Sequence, residues 1–136
     1  MKKLLTLALA VSTLWAAPTL LSAAEQQAAG KYSGSWANTE GDSDKIDIAL
    51  TLSAENSWTG DIQLWAEGDR LPVTMESVAI EGTQVAIVYD FRAEGATFTV
   101  KMKGTVTDQG MAGKFEVLNR RGKVTSSGTW KSKRSE

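Results

Sequence analysis

The 136-residue sequence contains no cysteine, no histidine and only two prolines. Without cysteine there is no disulfide and no thiolate, so stability must come from a packed core. Without histidine, the commonest general base and the commonest transition-metal ligand are both missing. Charge is absent from one stretch: after Lys2 and Lys3, none occurs from Leu4 to Leu21. Helix-type periodicity is confined to that stretch.

Residues 1–24 read as a signal peptide. Lys2 and Lys3 form a positive start, Leu4 to Leu21 an apolar segment, and Ser22-Ala23-Ala24 a small-residue cleavage site. Cleavage after Ala24 leaves 112 residues, destined for the periplasm or the exterior. They divide into a flexible tail, 25–29, and one domain, 30–134. Pro18 interrupts the apolar segment and weighs against a retained anchor, so no membrane span is expected in the mature chain.

The remaining charge is unevenly spread. Residues 25–95 carry 4 basic and 13 acidic side chains, whereas residues 96–136 carry 9 basic and 3 acidic. Mutual neutralisation in the folded domain is the expected outcome, with a partner-binding face as the alternative.

What fills the mature chain is alternation with period two. Ile46, Ile48, Leu50 and Leu52 alternate with Asp47, Ala49 and Thr51. Phe98, Val100, Met102, Gly104 and Val106 alternate with Thr99, Lys101, Lys103 and Thr105. Such alternation marks strands with one buried face. Seven turn signals separate eight predicted strands: 31–38, 44–53, 57–66, 70–80, 83–92, 96–107, 111–118 and 123–131. Pro72 falls near the start of the fourth, where a strand tolerates it, and a bulge is expected near Glu76-Ser77.

The apolar phase of these strands carries no charge and takes every mature aromatic residue except Trp65. A continuous face of this kind must be buried against itself. Closing the sheet into an all-β, eight-stranded, antiparallel up-and-down (meander) barrel does so and removes the exposed edges. Gly34, Gly60, Gly104, Gly113 and Gly128 fall in the same phase, where they permit the sharp coiling of a small barrel. Closure would set Ser33-Gly-Ser-Trp36 beside Ser127-Gly-Thr-Trp130 on the seam between first and last strands.

The Gly34-Ser-Trp36 opening followed by a meander resembles the calycin superfamily of lipocalins, fatty-acid-binding proteins and avidins. The resemblance implies a barrel that holds a small hydrophobic ligand. Gly34-Ser-Trp-Ala-Asn38 with Trp58-Thr-Gly60 is similar to the first avidin strands, and Asn38 stands at the asparagine that contacts the biotin ureido group there. Glu40 and Asp42 depart from that pattern, so the likeness carries the barrel and not the biotin site. Gly104-Thr-Val-Thr-Asp-Gln-Gly-Met-Ala-Gly113 and the closing Gly-x-Trp also resemble a small, non-catalytic barrel module of bacterial secreted proteins. That likeness spans most of residues 30–134.

Candidate chemistry is sparse, and the chain reads as a non-enzyme without cofactor or metal. Ser126, Tyr32 and Tyr89 face inward with no titratable base, so Ser126 lacks an activating partner. The acidic run from Glu40 to Asp47 lacks the spacing and distal glutamate of a calcium loop. The reading that follows is a non-catalytic binder of a small apolar or aromatic ligand, lined by Tyr32, Trp36, Trp58, Tyr89, Phe98, Phe115 and Trp130. The alternative is a protein-interaction module, a periplasmic inhibitor or accessory domain, working through Trp65 and the basic hairpin Arg120, Arg121 and Lys123. Those basic residues lack interleaved aromatics, so nucleic acid is not an expected partner.

Overall fold

A computed structural model describes Glu25 and residues 27–135. The signal-peptide expectation falls on residues 1–24, outside the described residues. Nine strands follow in order: β1 (Gly30–Asn38), β2 (Ser43–Leu52), β3 (Trp58–Ala66), β4 (Asp69–Leu71), β5 (Val73–Glu81), β6 (Gln84–Ala93), β7 (Ala96–Val106), β8 (Gly110–Leu118) and β9 (Val124–Arg134). They form one antiparallel sheet in the order β4-β3-β2-β1-β9-β8-β7-β6-β5. The fold is the expected up-and-down barrel, nearly closed, with nine strands in place of eight.

The extra strand arises at Pro72. Proline has no N–H to give to a ladder, so the predicted strand 70–80 cannot stay paired along its whole length. β4 remains on β3 through Leu64–Leu71, Trp65–Arg70 and Ala66–Asp69. β5 pairs with β6 instead, starting at Val73–Phe91, and the Pro72 carbonyl accepts a bond from the Arg92 amide at 3.1 Å. The expected bulge is present, as a register shift between Met75 and Ser77. Along the remaining gap β3 and β5 approach through side chains: a Cβ on Gly60 would lie 3.0 Å from Val78 Cγ2.

The termini, by contrast, meet in a full ladder. β1 and β9 pair from Tyr32–Arg134 to Asn38–Gly128, with Trp36 directly opposite Trp130. The two Gly-x-Trp motifs therefore do lie side by side on a seam. Inside, Ile46, Ile48 and Leu50 of β2 pack with Ile62, Ile87, Val100 and Met102, all buried. Their neighbours Lys101 and Lys103 are exposed on the outer face, while Asp47 and Ala49 are half-buried and Asp47 Oδ1 is covered without a partner among the described residues.

Strand direction sorts the connections into two ends. The upper end carries loops 39–42, 67–68, 94–95 and 119–123; the lower end carries 53–57, 82–83 and 107–109. The segment before β1, expected to be a flexible tail, lies against the lower end. Ala28 is buried and its carbonyl accepts the Tyr32 hydroxyl at 2.6 Å. The Glu25 carboxylate accepts the Gly82 amide at 2.6 Å. Arg134 spans the junction, donating to the carbonyls of Asp108, Ala29 and Gln27, with its guanidinium 5.0 Å from the centre of the Tyr32 ring. Replacing Arg134 by alanine is expected to cost about 2–3 kcal/mol, from charge-assisted bonds and the cation–π contact together. Hydrogen exchange should show residues 27–32 losing protection first. Unchanged protection there would mean that the segment is held by Ala28 alone.

Charge neutralisation, the outcome expected from composition, is not achieved by ion pairs on the basic side. Lys101, Lys103, Lys114, Lys131 and Lys133 all stand exposed on the outer face of β7, β8 and β9. None forms an ion pair with a described residue. Lys103 even sits directly opposite Lys114, a like-charge pairing that weakens a sheet.

Candidate functional site

Toward the lower end Tyr32, Leu50, Val85, Val106 and Met111 are buried in the core. A cavity of about 510 Å³ opens at the upper end. Its floor and walls come from Ile46, Leu64, Val100, Met102, Phe115 and Trp130, with Trp36, Leu71, Phe91 and Val117 higher up. The strand period explains the lining: each of these positions lies in the inward phase of its strand. Two indoles are fixed by hydrogen bonds to carbonyls, Trp36 Nε1 to Trp65 at 2.9 Å and Trp130 Nε1 to Lys114 at 3.2 Å. Trp36 also meets Phe115 edge-on, with ring centres 6.3 Å apart.

The polar groups facing the hollow are few. Tyr89 lines it at 2 % exposure, and its hydroxyl has no hydrogen-bond partner among the described residues. Ser126 lies on the opposite side of the sheet order and likewise faces inward. At the mouth stand Asp42 of the β1–β2 loop, Glu67 and Asp69 of the β3–β4 turn, and Glu94 of the β6–β7 turn. Among the described residues, no lysine or arginine lines the cavity.

The sequence-predicted aromatics divide by height. Trp36, Tyr89, Phe115 and Trp130 converge on the cavity. Tyr32 belongs to the lower plug with Ala28 and Arg134. Trp58, at the lower start of β3, is half-buried, and its indole N–H finds no acceptor among the described residues. Phe98 stacks on Phe91, 5.3 Å centre to centre, and lies behind it. Sequence reading missed Phe91, the aliphatic floor and the acidic mouth.

Other singled-out residues have different placements. Trp65 is half-buried on the outer face, with Lys45 Nζ 4.8 Å from its ring centre. Arg120, Arg121 and Lys123 stand exposed on the upper β8–β9 loop, outside the cavity lining. Asn38, at the biotin-contact position of the avidin likeness, is used internally. Its Oδ1 accepts the amides of Glu40 and Asp42, each at 2.9 Å, and its Nδ2 donates to Asp42 Oδ2. Within the acidic run, Asp44 Oδ2 accepts the Gly68 amide at 2.9 Å, tying two upper loops together.

Burial pushes the Tyr89 phenol well above its ordinary value of 10.0. Burial also raises Tyr32, with the Arg134 charge acting against it. A raised phenol favours the neutral form in the folded barrel, so this contribution to stability is complete below pH 10 and is lost as pH climbs above it. A Tyr89→Phe variant should therefore lose less stability than the wild type from about pH 10 to roughly pH 12, read as urea midpoints at each pH. Parallel losses in the two proteins would assign the alkaline sensitivity to other groups.

Comparison with protein-family models, with curated proteins and with solved structures found no match for this chain.

Proposed function

We propose that this protein is an exported, non-catalytic barrel that holds a small apolar or aromatic molecule in its upper cavity. One observation carries the reading: a cavity of about 510 Å³, walled mainly by apolar and aromatic side chains, opens at the upper end of the barrel. Ligand pockets fall in the range of roughly 300–1,000 Å³, lined mainly by apolar and aromatic side chains with a few polar groups. A wall of apolar and aromatic side chains offers a molecule that enters it close dispersion contacts. The chain has no histidine to activate the lining hydroxyls, which supports binding over catalysis. Export rests on Lys2, Lys3, the apolar segment and Ser22-Ala23-Ala24.

The test is native mass spectrometry of the purified mature protein for a retained molecule, followed by titration with naphthalene and indole while Trp fluorescence is recorded. A retained mass, or a saturable change that Ser126→Trp abolishes by filling the cavity, supports the reading. Clean spectra together with no response to either probe overturn it.

The second reading, an interaction module, is favoured by the exposed strip of Lys101, Lys103, Lys114, Lys131 and Lys133, in which Glu116, opposite Lys101, is the acidic neighbour across β7 and β8. An acidic protein surface docked there would relieve the Lys103–Lys114 repulsion. Binding to such a surface should weaken steeply with salt and with Lys103→Gln plus Lys114→Gln.

A further inference from the structure

We propose that the molecule held in the cavity is an amphiphilic cation, with an apolar body on the aromatic floor and an ammonium or guanidinium group among the carboxylates of the mouth. The inference rests on the cavity reading and names its ligand class.

Three observations support it. Every charged residue lining the cavity is acidic: Asp42, Glu67, Asp69 and Glu94. They come from three separate upper loops, so the barrel itself brings them together. The wall below them is apolar, and Tyr89, 2 % exposed, lines it with a hydroxyl that has no partner among the described residues. An unpartnered hydroxyl on a cavity wall offers an incoming molecule one hydrogen bond, as donor or acceptor. The basic residues near the same end, Lys45, Arg70 and Arg92 on strands and Arg120, Arg121 and Lys123 on the β8–β9 loop, are not among the lining residues.

The turn chemistry agrees. Glu67-Gly68 and Glu94-Gly95 both have positive φ at each residue, 53° and 84° in the first, 52° and 80° in the second. That conformation favours asparagine, aspartate or glycine and penalises a longer side chain. At the lower end the corresponding left-handed positions are filled by Asn56 and Gly82. Glutamate occupies this conformation at Glu67 and Glu94, both of which line the cavity.

Three probes with one naphthalene body separate the possibilities: 1-naphthylmethylamine, 1-naphthylmethanol and 1-naphthoate, each titrated by calorimetry into the mature protein. The amine is expected to bind about tenfold tighter than the alcohol at low salt, and the carboxylate weaker than both. The advantage should shrink to about twofold near 0.5 M salt, where charges at an open mouth are screened. Glu67→Gln combined with Asp69→Asn and Glu94→Gln should abolish the amine's advantage and leave the alcohol's affinity unchanged. Equal binding of amine and alcohol, or tighter binding of the carboxylate, overturns the inference and leaves the apolar-cavity reading intact. Failure of all three probes to bind overturns both.

Discussion

Gly128→Ala is expected to be among the most destabilising single-methyl additions in this chain. A Cβ at Gly128 would lie 1.9 Å from the Ala37 carbonyl oxygen and 2.6 Å from Asn38 Cα. Across the same seam, a Cβ at Gly34 would lie 1.8 Å from the Lys131 carbonyl and 2.5 Å from Ser132 Cα. The obstacles are backbone atoms, so no side chain can swing aside; β1 and β9 must separate. Overpacking against a rigid backbone costs roughly 3 kcal/mol or more. In a domain of this size that lowers the melting temperature by about 10–20 °C. Thr129→Ala, one residue away and exposed, should cost about 1 kcal/mol or less. Because both glycines guard one seam, Gly34→Ala with Gly128→Ala should cost less than the sum of the singles. An unfolding midpoint for Gly128→Ala that matches Thr129→Ala would show that the seam adjusts freely.

The same seam shows why much of the fold was legible. Period-two alternation survives translation into structure when one face is buried on every strand, because a one-residue slip would expose the whole core. The two Gly-x-Trp motifs could be set beside each other on the seam from closure alone, whereas the register that puts Trp36 opposite Trp130 could not. Pro72 could not be read to the same depth. A proline near a strand start is locally acceptable, and the outcome depended on which neighbour, β3 or β6, claimed the residues after it. That choice is made by partners distant in sequence, so the break between β4 and β5, and the barrel's one unladdered gap, had no local signature.

For the site, the inward phase was readable and the height along the barrel was not. Tyr32 and Trp58 share the phase of Trp130, yet they lie at the lower end, where the N-terminal segment and other core side chains fill the space. The acidic mouth was hidden for another reason: Glu67 and Glu94 occupy turns and Asp69 opens β4 next to one, where charge ordinarily means solvation. A signal was nonetheless present. In a meander every second turn falls on the same end, so turns near residues 40, 68, 94 and 120 share one rim, and three of the four are acidic.

Trp130→Ala tests whether core and site are one space. Trp130 is 2 % exposed, forms part of the cavity floor and donates its indole N–H to the Lys114 carbonyl. Removing a buried indole loses its transfer energy and leaves a void, about 3–5 kcal/mol in comparable cases. Here the void would merge with the existing hollow of about 510 Å³, so collapse cannot recover the loss. A molecule shaped like the missing group can. Indole at about 100 times its dissociation constant should return roughly 2.7 kcal/mol to the variant by mass action. Ile48→Ala supplies the comparison, because Ile48 is equally buried and does not line the cavity. Urea midpoints with and without indole should therefore rise more for Trp130→Ala than for Ile48→Ala. A loss below about 1 kcal/mol for Trp130→Ala would refute its role as the plug between the two halves. Equal rescue of both variants would mean that indole acts without entering the space Trp130 had occupied.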